Sequence, residues 1–338
     1  MFYRTVLRST FVFIVMSFLS ATAHAQLFRA YLAPGGNDAN PCTLPAPCRL
    51  LPAALTAVAD GGEIWMLDSG NYNTGPVNIT KSVTILAVPG ALGSVVAAGG
   101  FGAINIATAG VKLALRNLVI VPLPGVSGIG IYMTNGASLT VENCLIANLL
   151  TGIYVVGVAS VRVTDTTIRD NNYYGLFLRD GSRATVTRTN ISGNGSIGVD
   201  VYGVGSGTTT TADIADSTID GNSDGVSAES QGSTAVVKVS VHDSRVIRNR
   251  FSGVRAQSVA GASVTLSASN NIISNNVSGI LAISGSKVWA SSNTVSGNDY
   301  GLDNGGPNSQ GLFESAGNNA VRNNTYDTYG TITLVAPK

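Results

Sequence analysis

From about residue 128 onward the chain alternates in a regular way. Aliphatic residues two positions apart, such as Leu176 and Leu178 or Val199 and Val201, follow a glycine, and the residues between them are aromatic or polar. A period of two marks a strand with one face buried. The unit recurs with Gly128, Gly152, Gly175, Gly198, Gly225, Gly253, Gly279 and Gly301 at its head, 22 to 28 residues apart. Each copy continues through a polar or Gly-rich turn into a second alternation, as in ATVTRTNI (184–191), and closes on a turn that carries an asparagine. Periods of this length signal stacked repeats.

The closing asparagines are Asn148, Asn171, Asn194, Asn222, Asn249, Asn275 and Asn298. Asparagine tolerates left-handed backbone, and its amide bonds to nearby backbone. Stacked coil on coil, these residues are expected to form a ladder, with the following glycine letting the chain bend where a Cβ would clash. Cys144, Thr166, Thr189, Ser217, Ser244, Asn270 and Asn293 form a second column of small, mostly polar residues. Cys144 is therefore read as a buried small residue rather than a nucleophile. Asp165, Asp216 and Asp243 share a position at the end of the second strand and are read as turn formers.

The ends read as caps. LLPAALTAVADGG (50–62) predicts a short amphipathic helix with Pro52 early, apolar Leu51, Leu55 and Val58, and Gly61 at its end. Such a helix would cover the open edge of the first coil. EIWML, VNIT and SVTILA read as the first strands, and TYGTITLVAPK (328–338) as the last. The segments 202–213 and 227–237 are where units swell, and are expected to be loops on one side. About ten or eleven coils at ~4.8 Å each give a rod of roughly 50 Å.

Composition agrees with a β fold: 40 of 338 residues are glycine and only 12% are charged, which leaves little to build helices. Arg4 and Arg8, the apolar run Phe11–Leu19 and the small-x-small site Ala23-His24-Ala25 read as a secretory signal cleaved after Ala25. A membrane anchor is the alternative, although the run is shorter than the ~20 residues a spanning helix needs. Removing two arginines and no acids changes the net charge from +1 to −1. A near-neutral chain without a basic run argues against a nucleic-acid partner. The expected location is secreted or periplasmic. In that compartment Cys42 and Cys48 of NPCTLPAPCR are expected to pair, the alternative being a fragment of a metal site. The expected organisation is a signal peptide (1–25) and one β-helix domain (26–338), with an N-terminal cap (26–62), coils (63–312) and a C-terminal cap (313–338).

The chain resembles the right-handed parallel β-helix proteins of the pectin-lyase-like superfold, and more closely a group of secreted bacterial β-helix repeat proteins. The resemblance rests on NPCTLPAPCR, on GGEIWMLDSGNYN followed by VNITKSVTI, on the I-x-x-N-x-x-x-G-aliphatic repeats, and on GNNAVRNN before the last strand. It implies an all-β, single-stranded right-handed parallel β-helix of about ten coils with a short N-terminal capping helix. The superfold includes polysaccharide lyases, hydrolases and epimerases, tailspikes and non-catalytic adhesins, and fold alone does not choose among them.

Known catalytic patterns are missing from the sequence. Ser240-Val241-His242-Asp243 is a poor match to the Asp-Pro-His-Asp run of epimerases in this superfold, and His242 is read as a solvated surface residue. The glycine-rich calcium repeat, the P-loop and zinc patterns are absent, so no metal or cofactor is expected and calcium is not indicated. The informative residues lie on the strand after the repeat glycine. Its first and third residues should point inward: Ile129 and Ile131, Ile153 and Val155, Leu176 and Leu178, Val199 and Val201. The outward set then contains Tyr132, Tyr154, Phe177, Arg179, Tyr202 and Gln257, which suit sugar rings and hydroxyls. Asp200, Glu229 and Arg255 also face outward on successive coils, and the Cα atoms of the two acids lie about 8 Å apart by strand geometry, which is compatible with a carboxylate pair. They are the candidate catalytic group. Two functions compete: a monomeric module that contacts polysaccharide without cleaving it, and a lyase, hydrolase or epimerase using this face.

Overall fold

A computed structural model describes residues 26–338 except 206, 233, 260, 307, 308, 310, 337 and 338. The predicted signal segment 1–25 lies outside the described residues.

Each coil contributes one strand to each of three sheets. In one coil, Ile197–Gly203 lies in the front sheet, Thr209–Ala215 in the back sheet and Thr218–Asp220 in a short sheet, and Asp224–Ser230 then returns to the front. Among the described residues the back sheet has 13 strands and the other two have 11 each, all paired in parallel. The result is a β-solenoid of about ten turns.

The core is built from aliphatics that stack on themselves. Ile146, Ile168, Ile191, Ile219, Val246, Ile273 and Val295 of the short sheet lie in exact coil-to-coil register and are fully buried. Each contributes roughly 1.5–3 kcal/mol by leaving water. The front strand supplies Val199 and Val201, and the back strand Ala212 and Ile214.

The corners explain the polar columns. Between the back and short sheets the chain turns through two residues. The first takes left-handed backbone, as at Asp165, Asp216 and Asp243, with φ of 50°, 50° and 52°. The second points inward: Ser217 donates to the Ala215 carbonyl at 2.7 Å and accepts from the Thr189 amide at 3.2 Å. The second corner repeats this plan with asparagine inside. The Asn194 side-chain amide donates to Asn222 Oδ1 at 2.8 Å, Asn222 to Asn249 at 3.1 Å and Asn249 to Asn276 at 3.0 Å.

This plan corrects three of the expected column members. Asn148 (φ 61°), Asn275 (φ 58°) and Asn270 (φ 54°) hold the left-handed position, and the inward places one residue later belong to Leu149, Asn276 and Asn271. The ladder also extends to Asn324 and Asn319. The repeat glycine of the coil at 128 is Gly130, because Ile129 pairs with Thr151 and Ile131 with Ile153. Ile131 and Met133 therefore fill the core there, and Ile129 is only half-buried. The repeat glycines are required by close approach: a Cβ on Gly198 would sit 2.7 Å from the Gly225 carbonyl oxygen and 3.0 Å from the Asn222 amide.

At the N-terminal end a helix, Leu51–Ala57, with Pro52 in its first turn, buries Leu51, Ala54 and Leu55 against the first coil. It is shorter than predicted, because Val58–Met66 is already a strand paired with Leu27–Leu32. At the other end Ile332–Leu334 pairs with Leu312–Ser315. The swollen segments 202–213 and 227–237 are largely strand, since Thr209–Ala215 and Asp224–Ser230 run into them. Cys42 and Cys48 are joined by a disulfide.

Candidate functional site

The front sheet displays two outward columns set by its register. One runs Tyr132, Tyr154, Phe177, Asp200, Ser227, Arg255, Leu281 and Asp303. The other runs Arg179, Tyr202, Glu229, Gln257 and Ile283. The aromatics form a continuous stack. Ring centroids are 5.7 Å apart for Phe101–Tyr132, 5.5 Å for Tyr132–Tyr154, 4.7 Å for Tyr154–Phe177 and 5.9 Å for Phe177–Tyr202. The stack is graded in exposure: Phe101 is 74% exposed and Phe177 only 6%. Arg179 sits over the Tyr202 ring at 5.9 Å and pairs with Asp180 at 2.8 Å.

Beyond the stack lies a half-sealed charged cluster. Arg255 Nη2 donates to Glu229 Oε2 at 3.0 Å, and Nη1 donates to Gln257 Oε1 at 3.0 Å. Arg255 Nε lies 3.4 Å from Asp224 Oδ2, an ion-pair contact without a hydrogen bond, and this Nε has no other partner. Asp200 is 3% exposed, and its Oδ1 and the neighbouring Ser227 hydroxyl have no hydrogen-bond partner. Burial pushes the Asp200 carboxyl up to about 8, with Glu229 adding to the rise and Arg255 opposing it. Loss of solvation outweighs the guanidinium, because Arg255 directs its donors to Glu229 and Gln257 rather than to Asp200. Near neutral pH, Asp200 is therefore a protonated acid beside a carboxylate held by arginine. Burial also raises the phenols of Tyr174 and Tyr202.

The structure brings Asp200, Glu229 and Arg255 together and places Tyr132, Tyr154, Phe177, Tyr202 and Gln257 on the same face. It also buries Asp200 beneath that face. Two members were not evident in the sequence. Counting by two from Val226 puts Asp224 inside, but its Oδ2 lies 3.4 Å from Arg255 Nε and its Oδ1 accepts the Ser252 amide at 2.9 Å. Tyr174, before Gly175, is displaced in the same way and packs on Phe177 at 4.9 Å. His242, expected to be solvated, is half-buried and bonds Asp243 at 2.8 Å and Asp213 at 3.3 Å.

A family model described as the right handed beta helix region matches residues 103–256. Among solved structures the chain is similar to pectate lyase Pel9A, with a TM-score of 0.59 and 16% identity over 92% of this chain and 78% of that one. It is also similar to a polygalacturonase from Erwinia carotovora, with a TM-score of 0.59 and 14% identity over 83% of this chain and 88% of that one. A GH136 lacto-N-biosidase from Eubacterium ramulus matches with a TM-score of 0.56 and 12% identity over 91% of this chain and 68% of that one. A comparison with curated proteins finds no match. The chain is a right-handed parallel β-helix protein of the pectin-lyase-like fold, a fold shared by polysaccharide-acting enzymes. Among the described residues no helix is long and apolar enough to cross a membrane.

Proposed function

We propose that this protein is a secreted β-helix module that holds a polysaccharide along its front sheet without cleaving it. The aromatic stack from Phe101 to Tyr202 carries this reading. It lines successive coils with aromatic surface, an apolar strip along which sugars can lie, and Arg179 and Gln257 flank it with hydrogen-bonding groups. The solved relatives named for pectate, polygalacturonate and a lacto-N-biose unit share the fold. The Cys42–Cys48 disulfide supports passage through an oxidising compartment.

One observation favours a second reading, a polysaccharide-cleaving enzyme: Asp200 is held neutral beside Glu229, the pairing of an acid with a base that glycoside hydrolysis uses. The two are separated by incubating the protein with uronate, neutral and bacterial-envelope polysaccharides and reading retained glycan and new chain ends by mass spectrometry. The binding reading expects retention that falls in Tyr132→Ala and Tyr154→Ala, with no new ends. New ends that vanish in Asp200→Ala or Glu229→Ala would establish the enzyme. Neither retention nor cleavage across the panel removes both.

A further inference from the structure

The two ends of the stack are finished differently. At the head, the outer edge of the first back-sheet strand, Leu27–Leu32, is already paired within the chain. The Tyr31 amide donates to the Cys42 carbonyl at 2.8 Å, the Cys48 amide to the Tyr31 carbonyl at 3.0 Å and the Ala33 amide to the Cys48 carbonyl at 3.0 Å. The disulfide-closed loop thus occupies this edge, and the helix Leu51–Ala57 packs against the same strand. At the tail, Tyr326–Tyr329 ends the front sheet, Ile332–Leu334 the back sheet and Ala320–Val321 the short sheet. Among the described residues no strand or helix lies over these edges. Ile332 continues the core column of Val288 and Phe313, and Leu334 that of Ala290 and Ser315. With no further coil above it, Leu334 is 75% exposed. The tail therefore ends in unpaired strand edges around uncovered core positions, a template for another strand.

We propose that the tail is an interface for a second copy of this chain, joined end to end across a two-fold axis. A strand that pairs with its own copy across such an axis runs antiparallel to it. The last two strands suit this pairing. They are joined by the two residues Gly330 and Thr331. Thr328 and Thr333 stand equally far from that turn, so one axis can pass through both. Thr328 and Thr333 then each face their own copies, a pairing of hydroxyls that antiparallel strands favour. Ile332 faces the second copy's Leu334, and both belong to core columns, as residues opposite each other must. Asp327 faces the second copy's Tyr329, so no like charges meet. The described residues from 316 onward hold one cation and one acid, Arg322 and Asp327, 3.9 Å apart. Two such ends bring together no net charge. Because the head edge is occupied, a head-to-tail contact that would grow into a filament is closed off, and the two-fold contact stops at two copies. This sets two copies in place of the monomer expected from the sequence. The interface lies at the end of the stack, and it and the polysaccharide reading can each fail alone.

The test uses the mature protein in sedimentation equilibrium and small-angle scattering at low salt. The parent is expected to form two copies at micromolar concentration, with the rod lengthening from roughly 50 to about 100 Å. Thr333→Lys sets like charges directly opposite each other at the axis and should weaken association at least about tenfold. Thr333→Glu should do the same. An equal mixture of the two variants should recover association, because lysine then faces glutamate, and a misfolded variant gives no such recovery. Phe28→Lys, at the occupied head edge, should leave association as it is. The proposal is overturned by a parent that stays at one copy, by association that neither Thr333 substitution weakens, by a mixture no tighter than its components, by loss in Phe28→Lys, or by assemblies that grow beyond two copies.

Discussion

Asp200 makes the folding stability of this protein depend on pH in an unusual direction. The usual aspartate pKa is near 3.9, and burial raises that of Asp200 to about 8 in the fold. Below pH ~4 both the folded and the unfolded chain hold the proton, and Asp200 contributes no pH dependence. Between ~4 and ~8 the folded chain keeps a proton that the unfolded chain has lost, so stability falls as pH rises, by about 1.4 kcal/mol per unit. Across some four units the loss reaches at most about 5–6 kcal/mol, and above pH ~8 it is complete. Asp200→Asn has nearly the same shape and cannot titrate. The decisive quantity is the difference in urea-unfolding free energy between Asp200→Asn and the parent at pH 4, 5, 6, 7 and 8. His242, raised chiefly by its hydrogen bond to Asp243, titrates in both proteins and cancels in the difference. The expected difference climbs in favour of asparagine through the whole window and levels off above it. A flat difference would refute the reasoning, because it would mean that Asp200 ionises in the fold as readily as in the unfolded chain.

Two further outcomes test the core. Asn249→Ala removes the acceptor for the Asn222 backbone and side-chain amides, at 3.0 and 3.1 Å; stranding two buried donors at ~1–3 kcal/mol each should lower stability by about 2–6 kcal/mol in urea unfolding. Cys144 is buried and its thiol is pushed up to about 11 by burial; a maleimide at pH 8 should label it only at the rate at which the protein opens, and rapid labelling of the native protein would contradict its place in the column.

The repeat was legible because the physics of a coil is local. A corner of two residues needs left-handed backbone and then an inward polar group, and the second must bond to its copy one coil away. These demands recur at fixed places, so Asn171, Asn194, Asn222, Asn249 and Asn298 stand out in the sequence. The reading slipped by one where two candidates adjoin, at Asn270–Asn271 and Asn275–Asn276. Both asparagines suit either place by chemistry, and only the pairing with the next coil assigns them. It slipped at Gly128 for the same reason: Gly128 and Gly130 both precede aliphatics, and the partner strand selects Gly130.

Alternation by itself determined which residues of the front strand face out, and so placed Tyr132, Tyr154, Phe177, Asp200, Glu229 and Arg255 on one surface. The tertiary structure decided how deep each lies. Asp200 and Tyr132 occupy the same column, yet one is sealed and the other half-exposed, because the rings and the guanidinium around Asp200 come from neighbouring coils and from corners that break the alternation. The back sheet tells the same story. Arg183, Lys238 and Lys287 lie at unequal separations in the chain, since the intervening turns differ in length, and become an evenly spaced row only when backbone hydrogen bonds set every coil at one distance from the next.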